Sequence, residues 1–191
     1  MLKVCGVTNV EDAALAVEVG ASYVGMIIDA ESPRLIDPQK AREIVSILPK
    51  HVKPVGVVDA RKELDLEKVL DSGVRVVQLH WARPESYFKA KDALEPYSIS
   101  VAIAVSELKM WPKVKVEYAL IDVKDLDGKL IAWGMRHLRP LGVAGKITPE
   151  NVREVVELTK PDLVDVSSGI EKEPGKKDPS KLKALAEALG L

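Results

Sequence analysis

The sequence predicts an α/β protein, a compact single-domain (β/α)8 TIM barrel over residues 1–191, and three observations predict it. Eight short β-branched runs are spaced along the chain, and longer segments of helical period separate them. Helix-start signals stand where a strand must turn into a covering helix. No Gly-x-Gly-x-x-Gly fingerprint follows the first run, where CGVTNVED stands instead, and this disfavours a doubly wound open sheet. At 191 residues the chain falls just under the usual lower size of about 200 for the barrel, so its loops have to be short.

The first run is LKVCG (2–6). Thr8, with Glu11 three residues on, reads as a capping box, and Val10, Ala13, Ala14 and Val17 recur at i, i+3, i+4 and i+7, so the first helix should lie flat on the sheet through that face. YVGMII (23–28) is the second run, and Asp37-Pro38 after it supplies an N-cap with proline at the first helical position. KPVGVV (53–58), RVVQLH (75–80), ISVAIA (99–104) and YALID (118–122) continue the series. LGVAG (141–145) precedes Thr148-Pro149-Glu150, which reads as the same capping device, and LVDVS (163–167) is the eighth run, with Asp178-Pro179 opening the last helix.

Composition narrows the function classes. With 28 basic against 29 acidic side chains the formal charge is -1, so no global basic field points to nucleic acid or an acidic membrane, and the expected partner is a small molecule. Cys5 is the single cysteine, which rules out an internal disulfide and any multi-cysteine metal site and fits a reducing cytoplasm. Met1 runs into LKVCGV without a basic leader and apolar core, and no apolar run approaches a membrane span, so a cytoplasmic location is expected. The oligomeric state stays open.

In a barrel of this kind chemistry sits at the C-terminal strand ends. Here they carry Cys5, Asp29 to Arg34, Asp59, His80, Ser106, Asp122, Gly145 with Lys146, and Asp165 followed by Ser167, Ser168 and Gly169. The loops after strands seven and eight commonly hold a phosphate on backbone N–H groups. Gly145, Lys146, Ser168 and Gly169 occupy those two loops: glycine permits close approach, serine donates and lysine adds charge. Taken singly, they are also the small residues that tight βα turns require.

KVCGVTNVEDA, SPRLIDPQKAR, VVQLH, LIDVKD, TPENV and VDVSSGIEKEPGKKD stand in order from residue 3 to about 180, and together they resemble the phosphoribosylanthranilate isomerase family of tryptophan biosynthesis. The resemblance implies a (β/α)8 enzyme performing a cofactor-free, metal-free Amadori rearrangement of N-(5-phosphoribosyl)anthranilate. It implies Cys5 as general base and Asp122 as general acid. It further implies Arg34 as the residue binding the anthranilate carboxylate, His80 as a wall of the aromatic end and Asp165 as a partner of the amine. A free thiol titrates at about 8.5, so a thiolate base wants a nearby cation, and Lys3 has the strand parity to supply it. An acid in this position has to retain its proton. Apart from the resemblance, a strand cysteine reads as a small buried hydrophobe and a strand-end aspartate as a cap. Lys176-Lys177 reads as a solvated charge pair.

The sequence also departs from that family. KDLDGKLIAW, with only Gly128, replaces a glycine-rich lid after the acid, and a stiffer lid is expected. Trp81 stands where the family carries glycine, and its indole either stacks on the substrate ring or fills its place. Lys146 replaces the second glycine of a pair, and GMIIDAESPR lacks the usual aromatics. Two alternatives therefore stay open: a catalytically altered paralogue that binds a phosphorylated metabolite or serves assembly, and an isomerase of a related aminoaldose phosphate.

Overall fold

The computed structural model describes residues 1–105, 111–123 and 138–191. Eight parallel strands, β1 (Leu2–Val4), β2 (Tyr23–Asp29), β3 (Lys53–Asp59), β4 (Val76–His80), β5 (Ser100–Val105), β6 (Ala119–Asp122), β7 (Leu141–Ala144) and β8 (Leu163–Val166), form a closed barrel in chain order. Closure is made where β1 pairs with β8, bringing Lys3 opposite Asp165. Helices α1 (Val10–Glu18), α2 (Pro38–Ile47), α3 (Leu66–Ser72), α4 (Pro84–Leu94), α5 (Val152–Thr159) and α6 (Pro179–Leu189) lie between or after the strands. The predicted barrel is thus the observed one.

Local chemistry accounts for most helix starts. Asp37 accepts from the Lys40 N–H at 2.8 Å, and Asp178 accepts from those of Ser180 and Lys181 at 2.9 and 3.2 Å, each with proline at the first helical position. Two starts differ from expectation. The cap of α1 is Asn9, whose Oδ1 accepts from the Asp12 N–H at 2.8 Å, because the Thr8 hydroxyl is committed to the Gly175 carbonyl at 2.6 Å. Helix α5 begins at Val152 rather than directly after Thr148, because the Thr148 N–H donates to Asn151 Oδ1 and folds 148–151 into a turn. The buried face of α1 is also rotated: Asp12, Ala13 and Ala16 are buried and Ala14 is exposed. Asp12 takes the inner place because its carboxylate accepts from the Lys177 N–H at 2.9 Å.

The core has two layers. Leu2, Val4, Val24, Met26, Val77, Ile103 and Ile121 belong to the cluster that also takes in the helices, and Tyr23, Val55, Val76, Ala102, Tyr118, Leu120 and Leu163 form a second cluster from alternate strand positions. Within it Tyr118 is fully buried, meets Tyr23 edge to face at 5.1 Å and donates to Gln78 Oε1 at 2.9 Å. Tyr118→Phe leaves that amide oxygen buried and unsatisfied, so a loss of about 1–3 kcal/mol in unfolding free energy is expected, read as a lower urea unfolding midpoint. An unchanged midpoint would show that the bond contributes nothing.

Candidate active site

Cys5 lies one residue beyond β1, buried, and shares an inward face with Lys3, as strand parity requires. The Lys3 ammonium is wholly buried and bonds both oxygens of Asp165 at 3.0 Å, and the Cys5 thiol lies beside it against Gly25. Burial alone would lower its pKa, but the charges of Asp165 and Cys5 outweigh burial and raise it, so position 3 remains cationic. Gly25 on β2 makes the room: a Cβ there would sit 2.8 Å from Cys5 Sγ and 3.2 Å from Lys3 Nζ.

Arg34 reaches the same end of the barrel over Gly6, whose φ of +68° and missing side chain allow the passage; a Cβ at Gly6 would lie 2.5 Å from Arg34 Cδ. Its guanidinium grips Glu171 through Nε at 2.9 and 3.2 Å and Nη2 at 2.6 Å. Glu171 opens a two-stranded hairpin, β9 (Glu171–Glu173) and β10 (Lys176–Lys177), that follows the barrel. On this hairpin the structure corrects the solvated reading of Lys176-Lys177. Lys176 is exposed, but Lys177 is wholly buried and donates to Glu171 Oε1 at 2.8 Å and to the Cys5 carbonyl at 2.6 Å. Burial lowers the Lys177 pKa, and Glu171 only partly opposes it; burial likewise works against the Glu171 carboxylate, but Arg34 and Lys177 prevail and hold it below its usual range. Sequence reasoning missed both residues. Their one local signal is the Pro174-Gly175 turn between them, which marks a hairpin with inward and outward sides.

Across the mouth, Asp122 ends β6 half-buried, opposite Ala144 of β7. Its carboxylate abuts Gly145, which has φ +100°; any Cβ there would collide with it. Lys146 follows with φ +49°, exposed, its carbonyl fixed by Asn151 Nδ2 at 3.0 Å. After β8 the chain makes a 3₁₀ turn, Ser168–Ile170, in which Gly169 presses on the Ile147 carbonyl so closely that no side chain fits. The two loops expected to hold phosphate are therefore in contact. A 3₁₀ turn leaves its first N–H groups without internal acceptors, which makes Ser168 and Gly169 available donors.

His80 closes β4, half-buried; burial is the main reason its pKa is lowered, which favours the neutral imidazole at pH 7. Trp81 beside it has φ +60° and is 44% exposed, with its ring edge-on to His80 at 4.7 Å and the Arg61 guanidinium 5.5 Å from its centroid. Asp59 grips Arg61 through both carboxylate oxygens, and that bond is why its pKa falls to about 2. Together Trp81, Arg61, Leu79 and Ala90 line a cleft of ≈ 950 Å³ at the rim. Ser106 and the KDLDGKLIAW segment lie outside the described residues. Among the described residues no group of three or more His, Cys, Asp or Glu is placed to hold a metal, and no helix is long and apolar enough to cross a membrane.

A closed eight-stranded barrel whose C-terminal mouth gathers a thiol beside a lysine, a carboxylate, an arginine and two touching glycine turns has the design of a (β/α)8 enzyme. The profile of the N-(5'-phosphoribosyl)anthranilate (PRA) isomerase family matches residues 2–188, and the chain belongs to that family. It is 37% identical to the N-(5'-phosphoribosyl)anthranilate isomerase of Thermotoga neapolitana over 93% of this chain and 92% of the relative. With the Pyrobaculum islandicum enzyme it shares 34% identity over 100% and 98% of the two chains. The crystal structure of phosphoribosyl anthranilate isomerase from Thermus thermophilus superposes with a TM-score of 0.81 at 29% identity, covering 99% and 98%. A crystal structure of the isomerase in complex with reduced 1-(o-carboxyphenylamino)-1-deoxyribulose 5-phosphate gives 0.80 at 35% identity, covering 100% and 98%.

Proposed function

We propose that this protein converts N-(5-phosphoribosyl)anthranilate to 1-(2-carboxyphenylamino)-1-deoxyribulose 5-phosphate in tryptophan biosynthesis, with Cys5 as base and Asp122 as acid. The observation that carries the assignment is the Cys5 thiol beside a buried Lys3 that stays charged, on the inward face of β1, with Asp122 on β6, three places round the ring. Asp122 gives a proton to the furanose oxygen, the C1–O bond breaks, and the anilino nitrogen lone pair forms the imine. Cys5 then takes the proton from C2, and the electrons of that C–H bond form the enol-amine, which tautomerises to the aminoketose. No redox partner is consumed, because the oxidation of C2 is matched by the reduction of C1.

Contact between the Gly145-Lys146 loop and the Ser168-Gly169 turn supports one phosphate site there. Trp81, 44% exposed and edge-on to His80, supports an indole that stands beside the substrate ring over one that fills its place. The buried free Cys5 is compatible with a reducing, cytoplasmic setting.

The test follows the fluorescence of freshly generated N-(5-phosphoribosyl)anthranilate with the purified protein, under conditions that prevent its regeneration. Loss of signal is expected. A protein that binds the substrate and leaves the signal unchanged would instead be the altered paralogue. For the phosphate site, Lys146→Ala is expected to raise KM about tenfold with little change in kcat. An unchanged KM would remove Lys146 from that site.

A further inference from the structure

Two side chains of the β9–β10 hairpin are buried although the hairpin lies outside the barrel sheet: Glu171 at 4% exposure and Lys177 at 0%. Glu171 occupies one edge of the Arg34 guanidinium, the edge made by Nε and Nη2. A guanidinium has a second fork, formed by Nη1 and the other N–H of Nη2, and with the first edge taken this is the one left to receive a carboxylate. Charge makes the same point. Glu171 by itself would cancel Arg34, and an anionic substrate group would meet no net field. Lys177, 2.8 Å from Glu171, supplies a second cation against that carboxylate, in a place where solvent screens little, while the nearby Asp12 carboxylate is taken up by the Lys177 N–H. The same ammonium holds the Cys5 carbonyl at 2.6 Å, and the hairpin is pinned to the β1–α1 loop through the Thr8 hydroxyl and to α1 through the Asp12 carboxylate.

We propose that Glu171 and Lys177 are positioning residues for the isomerisation: Glu171 turns the free fork of Arg34 toward the carboxylate of the substrate's aminobenzoate ring, and Lys177 keeps that place cationic while tying it to the backbone of Cys5. The proposal rests on the reading of Arg34 as the carboxylate-binding residue. A purely structural network would lose stability when broken, with no effect confined to the carboxylate end of the substrate.

Glu171→Gln, Arg34→Ala and the double variant test it, by steady-state kinetics and by competitive inhibition with 2-aminobenzoate and with inorganic phosphate. Glu171→Gln is expected to raise KM and the 2-aminobenzoate inhibition constant together, by about tenfold or more, leaving the phosphate constant unchanged. In the Arg34→Ala background the second substitution is expected to add almost nothing, because its effect passes through Arg34. A wild-type KM in Glu171→Gln alongside a raised KM in Arg34→Ala overturns the proposal, as does full additivity in the double variant. A wild-type KM in Arg34→Ala overturns the Arg34 reading itself. If Glu171→Gln fails to fold, Glu171→Asp carries the test: its shorter carboxylate keeps the charge and loses the two-point grip, the same split is expected, and a wild-type KM counts against the proposal.

Discussion

Cys5→Ala is expected to lower kcat by about 10²- to 10⁴-fold, the range that a positioned base contributes, while the protein keeps its fold. The fold is spared because Cys5 is small and its backbone, not its sulfur, carries the fixed bonds: the N–H donates to the Val166 carbonyl at 2.8 Å and the carbonyl accepts from Lys177 at 2.6 Å. Turnover is expected to be lost because the proposed base is gone while Lys3, its charged neighbour, remains. Asp122→Asn is expected to fall in the same range, for an amide cannot give up a proton to the ring oxygen. The KM of both variants should stay within a few-fold of wild type, since neither side chain is proposed to hold the phosphate or the carboxylate. The decisive readout is single-turnover fluorescence decay beside a thermal melt. Normal turnover with either variant would remove that residue from its role, and a lost melt transition would mean that the fold, not the chemistry, had been damaged.

The barrel was legible because its evidence is local. β-branched runs, aspartate-proline caps and short spacings each act within a few residues, and all eight runs became strands. Several runs outlast their strands by one or two residues, as at Cys5-Gly6 and Gly145, because the chain there turns into the mouth with φ of +68° at Gly6 and +100° at Gly145. What stayed hidden is non-local. Lys177 bonds a carbonyl 172 residues away and Thr8 one 167 residues away, and no spacing within the sequence announces either partner. Each hidden contact also displaced a local expectation: Thr8, taken by Gly175, left the cap to Asn9, and Asp12, taken by Lys177, turned Ala14 outward. The Lys3–Cys5 relation lay between these cases, since parity put the two on one face but could not show that Asp165 would hold the lysine there.

That pair gives the largest expected effect on stability. Lys3 is wholly buried and Asp165 is 8% exposed, joined through both carboxylate oxygens at 3.0 Å. Lys3→Met keeps the length of the side chain and removes the charge, leaving a buried carboxylate without its counter-ion, and a loss of about 3–5 kcal/mol at pH 7 is expected. The pH dependence of that loss identifies its origin. Burial already holds the folded-state pKa of Asp165 above its unfolded value although Lys3 opposes it, and removing Lys3 raises it further, so the added penalty is absent at low pH and grows as pH rises through the wild-type folded value. Urea unfolding of the variant should therefore approach wild type near pH 4 and diverge toward pH 7. A second substitution, Asp165→Leu in the Lys3→Met background, should recover most of the loss, because an apolar pair of similar volume bears no desolvation cost. A deficit independent of pH and not recovered by the double variant would assign the effect to lost packing of the lysine stem. Turnover should not recover with stability in the double variant, since the cation beside Cys5 and the expected amine partner Asp165 are both missing; this separates what the pair does for the fold from what it does for the reaction.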